Sequence, residues 1–150
     1  MNIKFEHAPP DFAADYIRLR GLTRENKVSE ERLRALGITA ESWADDISSS
    51  ELQGTMAVSD QKIIGYCFGN TRTGEVVVLA VLPAFEDRGI GQRLLESVVE
   101  LLLQRGHTRL FLGCSRDPAH RSHGFYRHLG WRSTGGFDDF DDEILELLKP

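Results

Sequence analysis

Cysteine is scarce in this chain, whose 150 residues include only Cys67 and Cys114, each within an apolar, strand-like run. Two cysteines cannot build the disulfide framework of a small secreted protein, so we expect a reducing compartment. Long apolar stretches are also missing, since no segment approaches the roughly 20 apolar residues of a membrane-spanning helix. The N-terminal residues lack the apolar run of a signal peptide. These absences predict a soluble, cytoplasmic protein with no membrane partner.

An excess of positive charge is missing as well. The chain has 18 Lys and Arg against 23 Asp and Glu, which gives a net charge of −5. Because nucleic-acid-binding surfaces are basic, we expect no nucleic-acid partner. Hydrophobic residues make up 41% of the chain and charged residues 27%, which are the proportions of an ordinary globular protein. The length predicts a single domain over residues 1–150.

The hydrophobic periodicity predicts a mixed α/β fold. Some segments are apolar and β-branched or alternate with period two, whereas others repeat at helical spacing. The predicted strands are residues 3–6, 54–58, 63–68, 75–82, 108–114, 131–134 and 144–148. The predicted helices are residues 11–21, 30–36 after Ser29, a segment through Trp43 and Ile47 after Thr39, residues 89–104, and one beginning at Asp117-Pro118. We expect one central, mostly antiparallel sheet of six to seven strands flanked by helices.

Residues 75–92, EVVVLAVLPAFEDRGIGQ, join a buried strand to a glycine-containing turn and a long helix. The first turn of a helix leaves backbone N–H groups unpaired and carries partial positive charge. Because Gly89 and Gly91 let an anion approach that backbone, the turn predicts a pyrophosphate site. One alternative is a tight turn that simply requires glycine. Another is a nucleotide-binding oxidoreductase, which is disfavoured because its fingerprint has Gly or Ala where this chain has Leu94.

A second motif, FYRHLGW at residues 125–131, follows LAVLPAFEDRGIGQRLL in the order and separation of a known family. On these two motifs the chain resembles the GCN5-related N-acetyltransferase (GNAT) superfamily, and the predicted element order is similar over nearly the whole chain. The resemblance implies a splayed pair of strands that binds acetyl-CoA. It also implies an acyltransferase that moves the acetyl group to a primary amine, expected on a small molecule, in a ternary complex without a metal.

The resemblance assigns a cofactor site and a general acid. The cofactor-binding residues that it implies are Leu79, Ala80 and Val81 on the pantetheine-pairing strand and Asp87, Arg88, Gly89, Ile90, Gly91 and Gln92 on the pyrophosphate loop. Tyr126 falls on the tyrosine that protonates the departing thiolate, and a phenol with a pKa of about 10 suits that role. Core packing beside Phe125 is the alternative interpretation of Tyr126.

The general base that the resemblance suggests is Glu75, four residues before Leu79, as in the histone-acetylating branch. Alternation along a strand would put residues 75, 77, 79 and 81 on one face. A solvated carboxylate beside a turn is the alternative, and in that case water takes the proton.

Two positions depart from the family pattern. Glu86 occupies the first position of the loop, where the family has Gln or Arg, and we expect it to point to solvent. Ala119-His120 stands where the family often has asparagine, so Ser115 or His120 is expected to contact the pantetheine arm instead.

The identity of the acceptor molecule stays open at this point. The acidic run at residues 138–143 predicts a solvated loop or, alternatively, a region that attracts a cationic amine. Residues 24–26 lie where the family builds its acceptor pocket. Alternatives to a small-molecule acetyltransferase are a protein N-terminal or lysine acetyltransferase and a non-catalytic acyl-CoA-binding regulatory module. A homodimer is compatible with the resemblance.

Overall fold

The computed structural model of the protein describes residues 2–24 and 27–149. Residues 25–26, part of the predicted acceptor loop, lie outside the described residues. The described strands are β1 (Ile3–His7), β2 (Leu52–Ser59), β3 (Lys62–Asn70), β4 (Val76–Val81), β5 (Arg109–Cys114), β6 (Arg132–Phe137) and β7 (Glu143–Leu148). The described α-helices are α1 (Ala13–Arg20), α2 (Glu30–Ala35), α3 (Ala40–Ser48), α4 (Ile90–Gln104) and α5 (Arg121–His128). The predicted mixed α/β architecture is confirmed.

The strands form two antiparallel sheets that meet at one point. The first sheet has the order β1-β2-β3-β4 and the second has the order β5-β7-β6. A single parallel bridge between Glu75 and Phe111 joins them, and the N–H of Phe111 donates to the carbonyl of Gly74 at 3.2 Å. Beyond this bridge, no pairing between β4 and β5 is found in the described ranges. The two strands therefore diverge and leave a gap, as expected for a splayed pair.

Two hydrophobic cores lie on opposite faces of the first sheet, and the second sheet contributes buried residues to one of them. Helices α4 and α5 enclose one core, which we call the α4 face, with Leu94, Val98 and Leu110 at its centre. Helices α1, α2 and α3 enclose the other, the α1 face, around Tyr16 and Phe68. Each face buries apolar side chains that alternate along the strands, which is the main force holding a layered fold together.

Local sequence signals define the starts of α2 and α3. The Ser29 side chain accepts the N–H of Arg32 at 3.1 Å, and Thr39 and Ser42 form a reciprocal capping box. The predicted helix start at Asp117-Pro118 is wrong, since α5 begins at Arg121. The Asp117 carboxylate instead accepts the N–H of Ala119 at 2.9 Å, which closes a local turn in place of a helix.

None of the helices in the described ranges combines the length and apolarity that crossing a membrane requires. Both cysteines are buried and free.

Gly54 lies where the paired strands of the first sheet leave no room for a side chain. A Cβ at this position would lie 2.2 Å from the carbonyl oxygen of Cys67 on the paired strand β3. Because that atom is backbone, Gly54→Ala should force the strands apart and lower the free energy of unfolding by about 1–3 kcal/mol. Urea denaturation measures this change.

The matched control is Gly124→Ala in α5, where nothing lies within 4 Å of an added Cβ. Alanine is the better helix former, so this variant should be as stable as the parent or slightly more stable. Equal losses in both variants would contradict the steric explanation.

Candidate functional site

The edge of β4 that faces the gap carries unpaired backbone groups. The N–H of Leu82, just after β4, donates to the carbonyl of Ile64 at 2.9 Å. Hydrogen-bonded pairs alternate in an antiparallel ladder, so Ala80 also directs its N–H and C=O toward β3. Leu79 and Val81 therefore direct theirs into the gap. Among the three residues predicted on this strand, these two can pair with an extended ligand through the backbone.

The N-terminus of α4 adjoins the same gap. Gly89 is the N-cap in a left-handed conformation (φ +78°), and the first intrahelical bond runs from the N–H of Arg93 to its carbonyl at 3.1 Å. The three residues between them thus present unpaired N–H groups, as every helix start does. A Cβ at Gly91 would lie 3.8 Å from Val81 Cγ2, so the helix start and the end of β4 are neighbours. A phosphate at the helix and a chain in the gap could belong to one ligand.

Glu86, at the start of this loop, is turned away from solvent. The expectation that it would point to solvent is therefore wrong. Its side chain is only 15% exposed because Arg24 and Arg121 both bind it. The Arg24 Nε lies 3.2 Å from the carboxylate, and Arg121 also pairs with Asp87. The two arginines neutralise the carboxylate next to the predicted anion site. They also tie α5 and the loop after α1 to the pyrophosphate loop.

Tyr126 lies on α5 with its side chain buried and 9% exposed. Its ring packs edge-on against Phe125 and Trp131, with centroids 5.1 Å and 6.1 Å apart. Burial raises the pKa of the Tyr126 phenol well above its ordinary value, and the nearby Arg20 guanidinium opposes this rise. The phenol therefore keeps its proton at neutral pH. Packing and proton donation, the two interpretations made from the sequence, are compatible at this residue.

Glu75 precedes a bulge that changes which face of the sheet the side chains of β4 occupy. The register against β3 shifts between Val76 and Val78, which leaves Val77 without a partner. Val76 and Leu79 then pack on the same α4 face although they are three positions apart. The alternation that runs back from Leu79 therefore does not extend to Glu75. The expectation that residues 75, 77, 79 and 81 share one face is wrong. A bulge adds one residue to a strand and thereby inverts the alternation beyond it.

Acidic side chains lie beside β5 on the side opposite the α4 face. Leu112 and Cys114 pack on the α4 face, so Gly113 between them faces the other side. A Cβ on Gly113 would lie 2.5 Å from Asp138 Oδ2, and glycine leaves the room that this carboxylate occupies. Asp138 interacts electrostatically with Glu75 and Asp142, whose pKa values are raised by burial first and by Asp138 next. The acidic run is therefore not a wholly solvated loop.

Arg20, at the C-terminal end of α1, is a largely buried charged residue that the sequence interpretation did not consider. Its guanidinium interacts electrostatically with Tyr66, Tyr126 and Asp142. Helices α1 and α5 pack against different cores, so the interaction with Tyr126 spans the strands between them. The available signal was its position four residues after Tyr16, on the buried side of a predicted amphipathic helix.

Ser115 and His120 lie in the turn between β5 and α5. The Ser115 hydroxyl oxygen is 2.6 Å from His120 Nδ1 and also accepts the N–H of Asp117 at 3.2 Å. The structure brings the two side chains together, and their contact with a pantetheine arm stays a prediction. Within the described ranges, no three His, Cys, Asp or Glu side chains are arranged to hold a metal ion.

Comparison with known proteins assigns the chain to a family. The family model described as the acetyltransferase (GNAT) family matches residues 13–131. The protein therefore belongs to the GNAT acetyltransferase family. A search of curated proteins finds no match.

Solved structures share the fold. The PaiA N-acetyltransferase of Thermoplasma acidophilum, in complex with coenzyme A, superposes with a TM-score of 0.80 at 20% identity over 99% of both chains. A putative GNAT acetyltransferase from Desulfovibrio desulfuricans gives 0.79 at 20% identity, covering 98% of this chain and 99% of that one. The putative acetyltransferase YncA of Salmonella typhimurium, with acetyl-CoA, gives 0.75 at 15% identity, covering 100% and 95%.

The helix start of α4 provides a direct test of the anion site. Gly91→Asp adds a carboxylate among the unpaired N–H groups, where it should repel a pyrophosphate. We expect acetyl-CoA affinity, measured by calorimetry, to fall by at least about tenfold, since 1.4 kcal/mol corresponds to that factor. A Cβ at Gly91 meets only ordinary contacts, so the variant should fold.

The control is Gln104→Asp, which adds the same charge at the exposed far end of α4. It should bind acetyl-CoA like the parent. If a folded Gly91→Asp variant binds acetyl-CoA like the parent, the assignment of the anion site to the start of α4 is wrong.

Proposed function

We propose that this protein is an acetyl-CoA-dependent N-acetyltransferase that acetylates a primary amine of a small molecule. The observation that carries the proposal is the proximity of a free strand edge, a helix N-terminus and α5. An added Cβ at Gly91 would lie 3.8 Å from Val81 and 3.9 Å from Phe125, whose ring packs against Tyr126. Family membership supports the reaction class. The coenzyme A and acetyl-CoA complexes of two structural neighbours are consistent with the cofactor.

Two parts of the chain would hold the cofactor. The unpaired N–H groups at the start of α4, with Gly89 and Gly91 next to them, suit a pyrophosphate. The backbone groups of Leu79 and Val81 suit the amides of a pantetheine arm, because peptide-like groups pair along an exposed strand edge. Bound there, acetyl-CoA supplies the activated acetyl group and the thiolate leaving group.

The residues around the gap would manage the protons. Glu75 takes one proton from the acceptor ammonium, and the neutral amine then forms a C–N bond as the C–S bond breaks. Tyr126 gives its proton to the sulfur and recovers one from the acylated nitrogen, so the net reaction releases one proton. The backbone N–H of Val81 polarises the acetyl carbonyl. Binding of both substrates in one complex would hold the amine beside the thioester, and this proximity would supply much of the rate.

The function is tested by measuring free coenzyme A after incubation with acetyl-CoA and a pool of amines. Time-dependent thiol release with an acetylated product supports the transferase. Tight acetyl-CoA binding without release for any amine would favour the non-catalytic regulatory module instead.

Tyr126→Phe tests the general acid. The change keeps the ring that packs against Phe125 and Trp131 and removes the proton. We expect kcat to fall by roughly 10²–10⁴-fold while acetyl-CoA affinity changes little.

The control for Tyr126→Phe is Tyr16→Phe, which removes a buried hydroxyl that donates to the Pro9 carbonyl at 2.8 Å. It should cost some stability but leave kcat unchanged. Parent-like turnover in Tyr126→Phe would reduce Tyr126 to a packing residue.

The acidic limb of the pH profile tests the general base. Glu75 must be deprotonated to accept a proton, and burial together with Asp138 raises its pKa. Activity should therefore rise with pH through a value above the ordinary glutamate pKa of about 4.3. Glu75→Gln should abolish this limb.

Asp138→Asn should move the same limb to lower pH, because it removes a negative charge that raises the Glu75 pKa. The measurement is kcat/KM against pH for all three proteins. An unchanged limb in Glu75→Gln would assign proton removal to water or another group.

A further inference from the structure

The side chain of Arg121, the first residue of α5, reaches two consecutive residues of the pyrophosphate loop. One guanidinium nitrogen pairs with Glu86 and another with Asp87. The Glu86 carboxylate is largely buried, and it also accepts the Nε–H of Arg24 at 3.2 Å. A guanidinium that donates to two residues at once is fixed in direction as well as in distance, because its nitrogens lie in one rigid plane. The fork therefore fixes the loop relative to α5.

The backbone of the loop needs support at this point. Asp87 has a left-handed conformation (φ +62°), which residues other than glycine seldom adopt. Such a conformation persists where the surrounding contacts impose it. Gly89, the N-cap of α4, follows two residues later with φ +78°. The pairs at Glu86 and Asp87 thus hold the chain where it turns into the first turn of α4, the predicted anion site.

The start of α5 has no comparable support within the helix. Among the described residues, the N-cap His120 makes no side-chain capping hydrogen bond, and the first turn contains no acidic residue. Arg121 places a positive charge at the positive end of the helix dipole, which is unfavourable for the helix itself. Local signals therefore do not explain why α5 begins at Arg121, and the ion pairs with the loop supply the reason.

A second contact joins α5 to the first turn of α4. Phe125 follows Arg121 by four residues, so the two side chains lie on one side of the helix. A Cβ at Gly91 would lie 3.9 Å from Phe125 Cζ. The Phe125 ring also packs edge-on against the Tyr126 ring, with centroids 5.1 Å apart. Helix α5 thus contacts the chain on both sides of Gly89, and these contacts continue to Tyr126.

We propose that Arg121 is a positioning residue that couples the pyrophosphate loop to Tyr126. By pairing with Glu86 and Asp87, it holds the loop in place for the anion and holds α5 in place for the phenol. Loss of the fork should therefore weaken cofactor binding and proton donation together. This inference rests on the proposed acetyl-CoA-dependent function, and it adds a residue that lies in neither of the two sequence motifs.

The first experiment measures acetyl-CoA affinity by calorimetry in a variant for which charge and positioning predict opposite changes. Glu86→Met keeps the length of the side chain but removes its charge and its hydrogen-bond acceptors. Charge alone would raise the affinity, because a carboxylate near the pyrophosphate is lost. Loss of the anchor lowers it, and we expect a fall of about 3–10-fold, between the effects of an exposed ion pair and of a buried charged hydrogen bond.

Changes at Arg121 test the other partner of the fork. Arg121→Gln should weaken acetyl-CoA binding by a similar factor. Arg121→Lys keeps the charge without the planar fork, so its affinity should lie between those of Arg121→Gln and the parent. The control Arg72→Gln removes the same charge and an ion pair with Glu51 at 3.0 Å, at the opposite end of β4 from the loop. It should bind acetyl-CoA like the parent.

The second experiment tests the connection to Tyr126. At saturating acetyl-CoA and with the best acceptor amine, Arg121→Gln should lower kcat by about 3–10-fold, which weaker cofactor binding alone would not do. In the Tyr126→Phe background, the same change should lower kcat no further, because the proton donation that it disturbs is already lost. A merely structural role would lower kcat by the same factor in both backgrounds.

Hydrogen exchange of the backbone amides gives a readout that needs no turnover. In the free protein, Arg121→Gln and Glu86→Met should each speed exchange in α5 by about 3–10-fold, whereas Arg72→Gln should leave it unchanged. Coenzyme A should slow exchange in both the pyrophosphate loop and α5 of the parent. In Arg121→Gln, it should still slow exchange in the loop but have little effect on α5.

Three results would overturn the proposal. They are tighter acetyl-CoA binding by Glu86→Met, equal losses of kcat from Arg121→Gln with and without the Tyr126 hydroxyl, and unchanged α5 exchange in Arg121→Gln. The first would mean that Glu86 only keeps two arginines away from the phosphates. If Arg121→Gln fails to fold, Arg121→Lys and Glu86→Met decide by the same measurements.

These outcomes separate the inference from the proposed function. If coenzyme A slows α5 exchange as expected but no amine is acetylated, the positioning role stands and the transferase is refuted. If amines are acetylated but Arg121→Gln leaves α5 exchange unchanged, the transferase stands and the positioning role is refuted. If coenzyme A does not bind at all, α5 exchange in the free variants still decides whether Arg121 positions this helix.

Discussion

The site depends on one constraint, the divergence of β4 from β5 after a single bridge at Glu75 and Phe111. Backbone N–H and C=O groups inside a sheet are normally paired, and leaving them unpaired costs free energy. The separation keeps the backbone groups of Leu79 and Val81 available for a ligand. Without the divergence, β5 would complete the ladder and cover this edge of β4.

Cofactor and acceptor would be recognised by different kinds of group. In the proposed function, the cofactor would be held by backbone groups: a strand edge and the unpaired N–H groups after Gly89. Recognition of the acceptor would depend on side chains such as the acidic residues next to Gly113. Backbone recognition tolerates sequence change, whereas side-chain recognition alters with each substitution.

Several residues at the gap work against stability. Burial raises the pKa of Glu75 and Asp142 and lowers that of Arg20, so each is less favourably charged here than in water. Elsewhere in the chain, charges such as Arg109 and Glu146 simply pair at the surface, at 2.8 Å. Such shifts are frequent at functional sites, and Asp46 on α3, whose pKa is also raised by burial, shows that they occur elsewhere in the fold as well.

The sequence by itself determined the element order, the glycine turn at the start of α4 and the caps at Ser29 and Thr39, because these depend on periodicity and on local hydrogen bonds. It also contained the two motifs that carry the family resemblance. Tertiary structure decided what local rules could not. A bulge at Val77 changed the face of the sheet to which Glu75 belongs. Two arginines from distant parts of the chain pair with Glu86 and turn it away from solvent. The electrostatic interactions of Arg20 with Tyr126 and Asp142 likewise join residues far apart in the chain, which no local pattern encodes.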